Sequence, residues 1–406
     1  MDAKPKPIIN VSYSYNPLEE TLEYSPGKKS VFIGIPKETS FQENRIALTP
    51  QAVSVIVNNG HQVAIERNAG VASSFSDRDY SEAGALIVHD KHEIFKADII
   101  LKTAPISYEE LDLLSKDQIV FSPMHIPTIS KDYLQRCLEK NIIGIALGNI
   151  KDDAGNYPIV RSMSQIAGIH TMHVAAKYLS SNHHGKGLLL GGIAGVLPAQ
   201  VVIIGAGMVG EYATRSALGC GAQVKVFDNS IYRLMRLQRT VGQAVPTCVI
   251  DPIQLTNALK DADVAIGALK PIKGIVPMVV TEQMVEKMKP GSVIIDVSID
   301  NGGCFETSAL TTHEEPVFLK NEVIHYCVPN IASAVPATAS TAISNILMPL
   351  ILSCTDSVGT ADNILQHKPG LLSATYMYKG RLTSRVLSKK FNLKYTDLNL
   401  LLSSNF

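Results

Sequence analysis

Residues Val201-Val-Ile-Ile-Gly205-Ala-Gly207-Met-Val-Gly210 place three glycines in a GxGxxG spacing directly after an apolar run. Little else in the chain restricts its fold so tightly. The apolar run reads as a buried strand and Met208-to-Leu218 as a helix. A second strand ends in Asp228, 18 residues beyond Gly210. That context predicts a βαβ unit that binds a dinucleotide. Gly205 permits the tight turn, Gly207 lets a pyrophosphate approach the backbone, and Gly210 lets helix and strand pack closely. The helix N-terminus offers amide N–H groups to the phosphates. Asp228 is expected to accept hydrogen bonds from the ribose hydroxyls and to repel a 2′-phosphate, which favours NAD over NADP. Arg233 nearby works against that preference.

Strand–helix alternation extends in both directions. Val31-to-Pro36 is a short strand stopped by proline. Thr49-Pro50 then opens a helix, with Thr as N-cap and Val53, Ile56 and Val57 on one face. His61–Ile65, Ala85–Val88, Asp98–Leu101, Ile119–Phe121 and Ile142–Ala146 continue the pattern of a parallel sheet. After a polar stretch, Gly148-to-Tyr157, apolar residues at helical spacing over Ser164-to-Leu179 predict a bridging helix. A second block of strands follows at Gln200–Ile204, Gln223–Phe227, Val264–Ala268, Ser292–Val297 and Val323–Cys327. A strongly apolar helix over Thr338-to-Ile351 leads into a tail expected to be helical and to pack back on the first block. The fold class is therefore α/β, with two units each built on a parallel sheet. The expected division is an N-terminal extension (1–29), a first domain discontinuous in sequence (30–158 and 334–406) and an NAD-binding domain (159–333).

Charge bears on partners. The chain has 37 basic and 37 acidic side chains, and residues 159–333, with 14 and 13 of them, carry a net of +1. Neither part has the positive field that nucleic-acid binding needs, so no nucleic-acid partner is expected. The apolar stretches Leu188-to-Ile204 and Ile343-to-Leu352 are short or broken by Gly and Pro, below the roughly 20 residues of a membrane span. No membrane partner is expected. The N-terminal residues lack a continuous apolar secretion segment, and six cysteines without a CxxC pair suggest reduced thiols and a cytoplasmic location. His170 and His173, three apart on the bridging helix, have no third ligand near in sequence, so no metal site is predicted.

Beyond the fingerprint, the chain resembles the alanine dehydrogenase / transhydrogenase alpha-subunit family over residues 31–355. The runs that carry the resemblance are Gly34-Ile-Pro-Lys-Glu38, Glu43-Asn-Arg-Ile-Ala-Leu-Thr-Pro50 and Met163-Ser-Gln-Ile-Ala-Gly168. Further on come Gly191-Gly-Ile-Ala-Gly195, Met288-to-Asp296, Asp300-to-Glu306 and His325-to-Asn330. The resemblance implies reversible, NAD-dependent oxidative deamination of L-alanine to pyruvate and ammonium, in a cleft between two Rossmann-like domains, by a homohexamer. It assigns Arg45 to the substrate carboxylate, as suits a planar fork. It assigns His125, just after a strand, to the substrate carbonyl and to proton transfer. Asp300 falls to the carboxylate that handles water and the leaving hydroxyl at the carbinolamine. Ser164, Arg233 and Asn330 fall among secondary cofactor contacts.

One departure stands out. The family's dehydrogenases carry a substrate-contacting second lysine in a Lys-x-Lys-x-Pro segment, whereas this chain reads Lys102-Thr-Ala-Pro105. Residues i and i+2 of a strand share a face, so Lys102 is expected to reach into the vacancy as a substrate-binding group. Transhydrogenase alpha components also lack that lysine, so the alternatives are the nucleotide-binding component of an NAD(P) transhydrogenase or a dehydrogenase of another small amino acid. That branch generally lacks the counterparts of His125 and Asp300. It carries an Arg-Gln-Asp loop where this chain reads Tyr157-Pro-Ile-Val-Arg161-Ser-Met-Ser164, which favours the dehydrogenase.

Overall fold

Short apolar strands joined by capped helices give two mostly parallel sheets in the computed structural model, which describes residues 30–124, 129–271, 274–356, 365 and 368–403. The first sheet contains β1 (Phe32–Ile35), β2 (Gln62–Glu66), β3 (Leu86–Val88), β4 (Ile99–Leu101), β5 (Ile119–Ser122) and β6 (Ile143–Ala146). Two late strands join it, β14 (Thr375–Tyr378) and β15 (Arg381–Leu382), in the order β15-β14-β6-β5-β4-β1-β2-β3. The second sheet holds β7 (Gln200–Ile204), β8 (Gln223–Phe227), β9 (Thr247–Cys248), β10 (Val264–Gly267), β11 (Val293–Asp296), β12 (Val317–Lys320) and β13 (Val323–Tyr326). Its order is β12-β13-β11-β10-β7-β8-β9. Central strands such as β4, β6, β10 and β11 are buried along their whole length, as parallel strands covered on both faces must be.

Strand order reverses beside β1 in the first sheet, between β4 and β2, and beside β7 in the second, between β10 and β8. Crevices open at such switch points, beyond the carboxyl ends of the strands. The chain spends its unusual residues there. β1 leads to Glu38 and Arg45, β4 to Lys102, and β7 to the glycine turn.

The helix Pro50–Asn58 begins as its sequence predicts: the Thr49 hydroxyl accepts the Ala52 N–H, and Pro50 occupies the first turn. The bridging helix runs over Pro158–Leu179, longer than apolar spacing alone suggested because Pro158 starts it two turns earlier. The apolar helix Pro336–Asp356 is long and apolar enough to cross a membrane by length and composition. Here Ile343, Leu347 and Ile351 enter the core of the first sheet. Its Ser340 and Ser344 hydroxyls accept the backbone N–H groups of Ile46 at 2.9 Å and Thr49 at 3.0 Å, so it also holds the loop that carries Arg45.

The tail differs from the helical expectation. Besides three short helices' worth of chain, it contains the hairpin β14–β15, with β14 antiparallel to β6. Thr375-Tyr-Met-Tyr378 is rich in strand-forming side chains. Lys379 and Gly380 both take positive φ, 46° and 75°, the two-residue turn that suits a twisted hairpin.

Candidate active site

At the second switch point Gly205 has φ of +115°. A side chain there would meet the Ala268 carbonyl oxygen at 2.4 Å, and one at Gly210 would meet the Gly205 carbonyl oxygen at 1.8 Å. At Gly207 nothing lies within 4 Å of the same position. The turn is therefore closed against its own chain at two glycines and open outward at the third. Above it lies a cavity of about 380 Å³ lined by Ser164, Gly207, Met208, Arg233, Arg236 and Lys270, among others. The helix Met208–Gly219 has no side-chain cap at its start, so its first amides face this space. The Arg236 Nε is buried without a hydrogen-bond partner, while its Nη2 donates to the Ala206 carbonyl at 3.2 Å. An open glycine, uncapped amides and an unpaired guanidinium N–H suit a pyrophosphate.

Asp228 lies beneath the turn, 3% exposed. Its carboxylate accepts the N–H groups of Ala206 and Ser230, each at 2.7 Å, and Arg233 Nη1 lies 3.6 Å away. A carboxylate has about four acceptor positions, so this anchoring fixes its orientation without exhausting its capacity for a hydroxyl.

At the first switch point the sequence-derived residues meet one that sequence reasoning missed. Arg45 donates from Nε to Glu43 Oε1 at 2.7 Å and from Nη2 to Glu43 Oε2 at 2.5 Å, and its Nη1 contacts the Met163 sulfur at 3.4 Å. The two side chains are 12% and 5% exposed. Asn330 Nδ2 donates to Glu43 Oε2 at 3.1 Å, and the Asn330 N–H donates to Asp300 Oδ1 at 2.9 Å. Arg45, Glu43, Asn330 and Asp300 thus form one hydrogen-bonded chain across the cleft between the sheets. Asn330 can take its left-handed backbone (φ 52°) because Asn tolerates that region better than most residues. It was expected as a cofactor contact; the structure ties it to Glu43 and Asp300.

Asp300 is exposed, in a 3₁₀ turn over Val297–Asn301 that directly follows β11. Asp296, at the end of that strand, organises the turn. Its carboxylate accepts the N–H groups of Ser298 at 3.0 Å and Cys304 at 2.9 Å, and the Ser308 hydroxyl at 2.8 Å. Burial pushes the Asp296 carboxyl above its ordinary range against the pull of these bonds. Burial likewise raises the Cys327 thiol to about 11, so no thiolate forms there at neutral pH.

Lys102 lies elsewhere than expected. Its ammonium is held by Glu110 Oε1 at 2.9 Å and Glu38 Oε2 at 3.0 Å, with only 1% of the side chain exposed. Lys91 joins Glu110 at 2.7 Å. Burial works against the Lys102 charge, but the two carboxylates outweigh it and its pKa is raised. The extended geometry that suggested a reach toward substrate instead directs the side chain into this ion cluster. Glu38 also accepts the Thr103 N–H at 2.6 Å, and the Thr103 hydroxyl donates to the Arg45 carbonyl at 3.0 Å. The cluster therefore supports the Arg45 loop from below. His125 lies outside the described residues. Among the described residues, no set of three His, Cys, Asp or Glu is arranged to hold a metal ion.

The missed residues are Glu43, Glu38, Glu110, Asp296 and Arg236. Glu38 and Glu43 stand inside the quoted motifs, two residues before Arg45 in the second case, which was the signal available.

Comparison with known proteins agrees with this arrangement. Residues 34–167 match the profile of the alanine dehydrogenase/PNT N-terminal domain, and residues 171–385 that of the C-terminal domain. An alanine dehydrogenase from Staphylococcus saprophyticus subsp. saprophyticus is 36% identical over 369 residues, covering 91% of this chain and 99% of the relative. A solved L-alanine dehydrogenase superposes with a TM-score of 0.83 at 34% identity, over 89% of this chain and 99% of the other. A transhydrogenase from Sinorhizobium meliloti superposes with a TM-score of 0.73 at 21% identity, over 87% and 99%. That last likeness is one of fold alone.

Proposed function

The chain belongs to the alanine dehydrogenase/PNT family, and from that premise we propose that it catalyses the reversible NAD-dependent oxidative deamination of L-alanine to pyruvate and ammonium. It is an amino-acid dehydrogenase, with a nucleotide-binding Rossmann-like fold. The observation that carries the reaction is the hydrogen-bonded chain Arg45–Glu43–Asn330–Asp300, which presents a guanidinium and a carboxylate to one cleft.

NAD, when bound, supplies the hydride acceptor for the Cα–H of the amino acid. Gly207, the amides at the start of Met208–Gly219 and Arg236 would hold its pyrophosphate, Asp228 its ribose, and Ser164 and Arg233 the rim of the cavity. Arg45 binds the substrate carboxylate. Glu43 takes Nε and Nη2, so the substrate uses the Nη1 side or displaces Glu43 from part of the fork. Asp300 removes a proton from the water that attacks the imine carbon, and His125 carries a proton at the substrate nitrogen and carbonyl oxygen. Lys102 acts as a positioning residue through Glu38 and Thr103. The substrate domain is read as 30–158 with 334–406 and the nucleotide domain as 159–333, a division supported by β14 and β15 joining the first sheet. We read the protein as a cytoplasmic homohexamer with small-molecule partners only.

The test is oxidation of NADH with pyruvate plus ammonium, run beside lysine with 2-oxoglutarate and beside NADPH with an NAD analogue. Turnover with pyruvate and ammonium is expected. Hydride exchange between nucleotides without amino-acid turnover would replace this reading with the transhydrogenase component, which the lack of the family's second lysine in 102–105 favours.

A further inference from the structure

The bridging helix serves the nucleotide cavity only through its first two turns. Farther along, His170, His173 and Lys177 stand on one face at helical spacing. His313, from the loop before β12, meets them there, together with Tyr178 and Tyr326, around a second cavity of about 240 Å³. It shares no lining residue with the nucleotide cavity. The His170 and His173 rings meet edge to face with centroids 5.8 Å apart. His170 Nδ1 and His313 Nε2 are both buried without a hydrogen-bond partner. No carboxylate lines the cavity.

Two orphaned ring nitrogens cost free energy unless something binds them. A metal would require converging ligands, which the three rings do not provide among the described residues. An anion requires only donors. Protonated, the imidazoles supply N–H groups and positive charge, and Lys177 adds an ammonium at the rim.

We propose that the cavity lined by His170, His173, Lys177 and His313 is a binding site for a small oxyanion, of the phosphate or dicarboxylate class, and that the ion enters with uptake of protons by the histidines. Burial, followed by repulsion from His173 and His313, holds His170 down at about 4, and burial lowers His313. Both are therefore neutral at pH 7 without a ligand and gain protons when an anion arrives. His173 and His313 both oppose protonation of His170, Lys177 adds positive charge at the rim, and Glu43 favours protonation of His313, so the charge of the bound anion must offset the mutual repulsion of the rings. His313 is also hydrogen-bonded to the Asn330 backbone, so the ion would sit one residue from the Glu43–Asp300 chain. The inference does not depend on which amino acid is oxidised.

The experiment is calorimetric titration of the full chain with inorganic phosphate, and in a parallel arm with succinate, at about pH 6 and pH 8 in buffers of different ionisation heat. Binding is expected to strengthen about tenfold per unit fall in pH for each proton taken up. His170→Gln and His313→Gln should each weaken it at least tenfold. Lys177→Met, an exposed change that leaves the fold intact, should weaken it several-fold with NADH affinity unchanged. The two arms tell an inorganic from an organic ligand. The proposal is overturned by absence of heat in both arms, by binding that saturating NADH abolishes, or by equal affinity in Lys177→Met and the wild type.

Discussion

Glu43 grips Arg45 with both carboxylate oxygens, at 2.7 Å on Nε and 2.5 Å on Nη2, in a setting where neither side chain is more than 12% exposed. The arginine proposed to receive a carboxylate is thus already paired with one. This pairing aims the guanidinium and reduces the local positive charge. It also leaves Nη1, which donates only to the weak Met163 sulfur acceptor at 3.4 Å, as the edge for a substrate carboxylate. Arg45→Lys replaces a fork with a point charge and cannot keep both Glu43 and a substrate. A loss of about 3 kcal/mol in transition-state binding, about a hundredfold in kcat/KM for pyruvate, is expected. NADH affinity by fluorescence titration should not change. An unaltered kcat/KM would remove Arg45 from substrate binding.

The ion cluster around Lys102 makes a prediction of sign. Lys102 and Lys91 hold the Glu110 carboxyl below its ordinary value of 4.5 despite burial. Its stabilising contribution is therefore present above that pH and lost as pH falls through the lowered value. Glu38 has the opposite sign: burial raises it, so its ionisation opposes folding above 4.5. Lys102→Met leaves both carboxylates buried with Lys91 alone for company, a cost of about 3–5 kcal/mol near neutrality. Acidification from pH 7 toward 5 should then raise the Tm of the variant relative to wild type, because protonation discharges the stranded carboxyls. Parallel Tm curves for the two proteins would contradict the cluster as described.

Asp296 offers a way to disturb Asp300 without touching it. Its carboxylate collects three backbone N–H groups and the Ser308 hydroxyl. In Asp296→Asn one acceptor becomes a donor facing donors, a cost of about 1–3 kcal/mol. The turn Val297–Asn301 should loosen, lowering kcat about tenfold while KM for alanine changes less than twofold. A large rise in KM with normal kcat would show that the turn serves binding instead.

Parts of this site are legible in the sequence alone, for physical reasons. The glycine turn was readable because each glycine answers a local constraint, and local constraints leave spacing in the sequence. Arg45 and Asp300 came from motif resemblance, and the structure joins them through Asn330. Glu43 is marked in the sequence only by its place in the motif that carries Arg45. An acidic residue in a polar loop is ordinarily solvated, whereas this one is held by Arg45 and by Asn330, 287 residues later. Lys102 shows the reverse case. Its strand spacing was sound, but the side chain follows two carboxylates, Glu38 and Glu110, whose convergence depends on the β1–β4 pairing and the first turn of Tyr108–Leu113. The hairpin in the tail departs from the helical expectation although Lys379-Gly380 is a serviceable turn, because a short two-strand hairpin leaves little periodicity beside its helical neighbours.

The three glycines of the turn should separate under mutation, since only one of them faces outward. Gly207 has φ of −74°, accessible to any L-residue, and a methyl there meets no atom of the chain. Gly207→Ala should therefore fold with an unchanged Tm. Its methyl would occupy the space over the helix N-terminus and weaken NADH binding at least tenfold, about 1.4 kcal/mol. Gly210→Ala would drive a methyl to 1.8 Å from the Gly205 carbonyl oxygen, which the helix can relieve only by moving away from β7. That variant should lose several kcal/mol of stability by overpacking and bind nucleotide poorly as a consequence. Thermal melts and NADH titrations of the two proteins distinguish the cases. If Gly207→Ala binds NADH like wild type, the pyrophosphate does not lie over this turn, and the cavity lined by Arg233 and Arg236 holds something else.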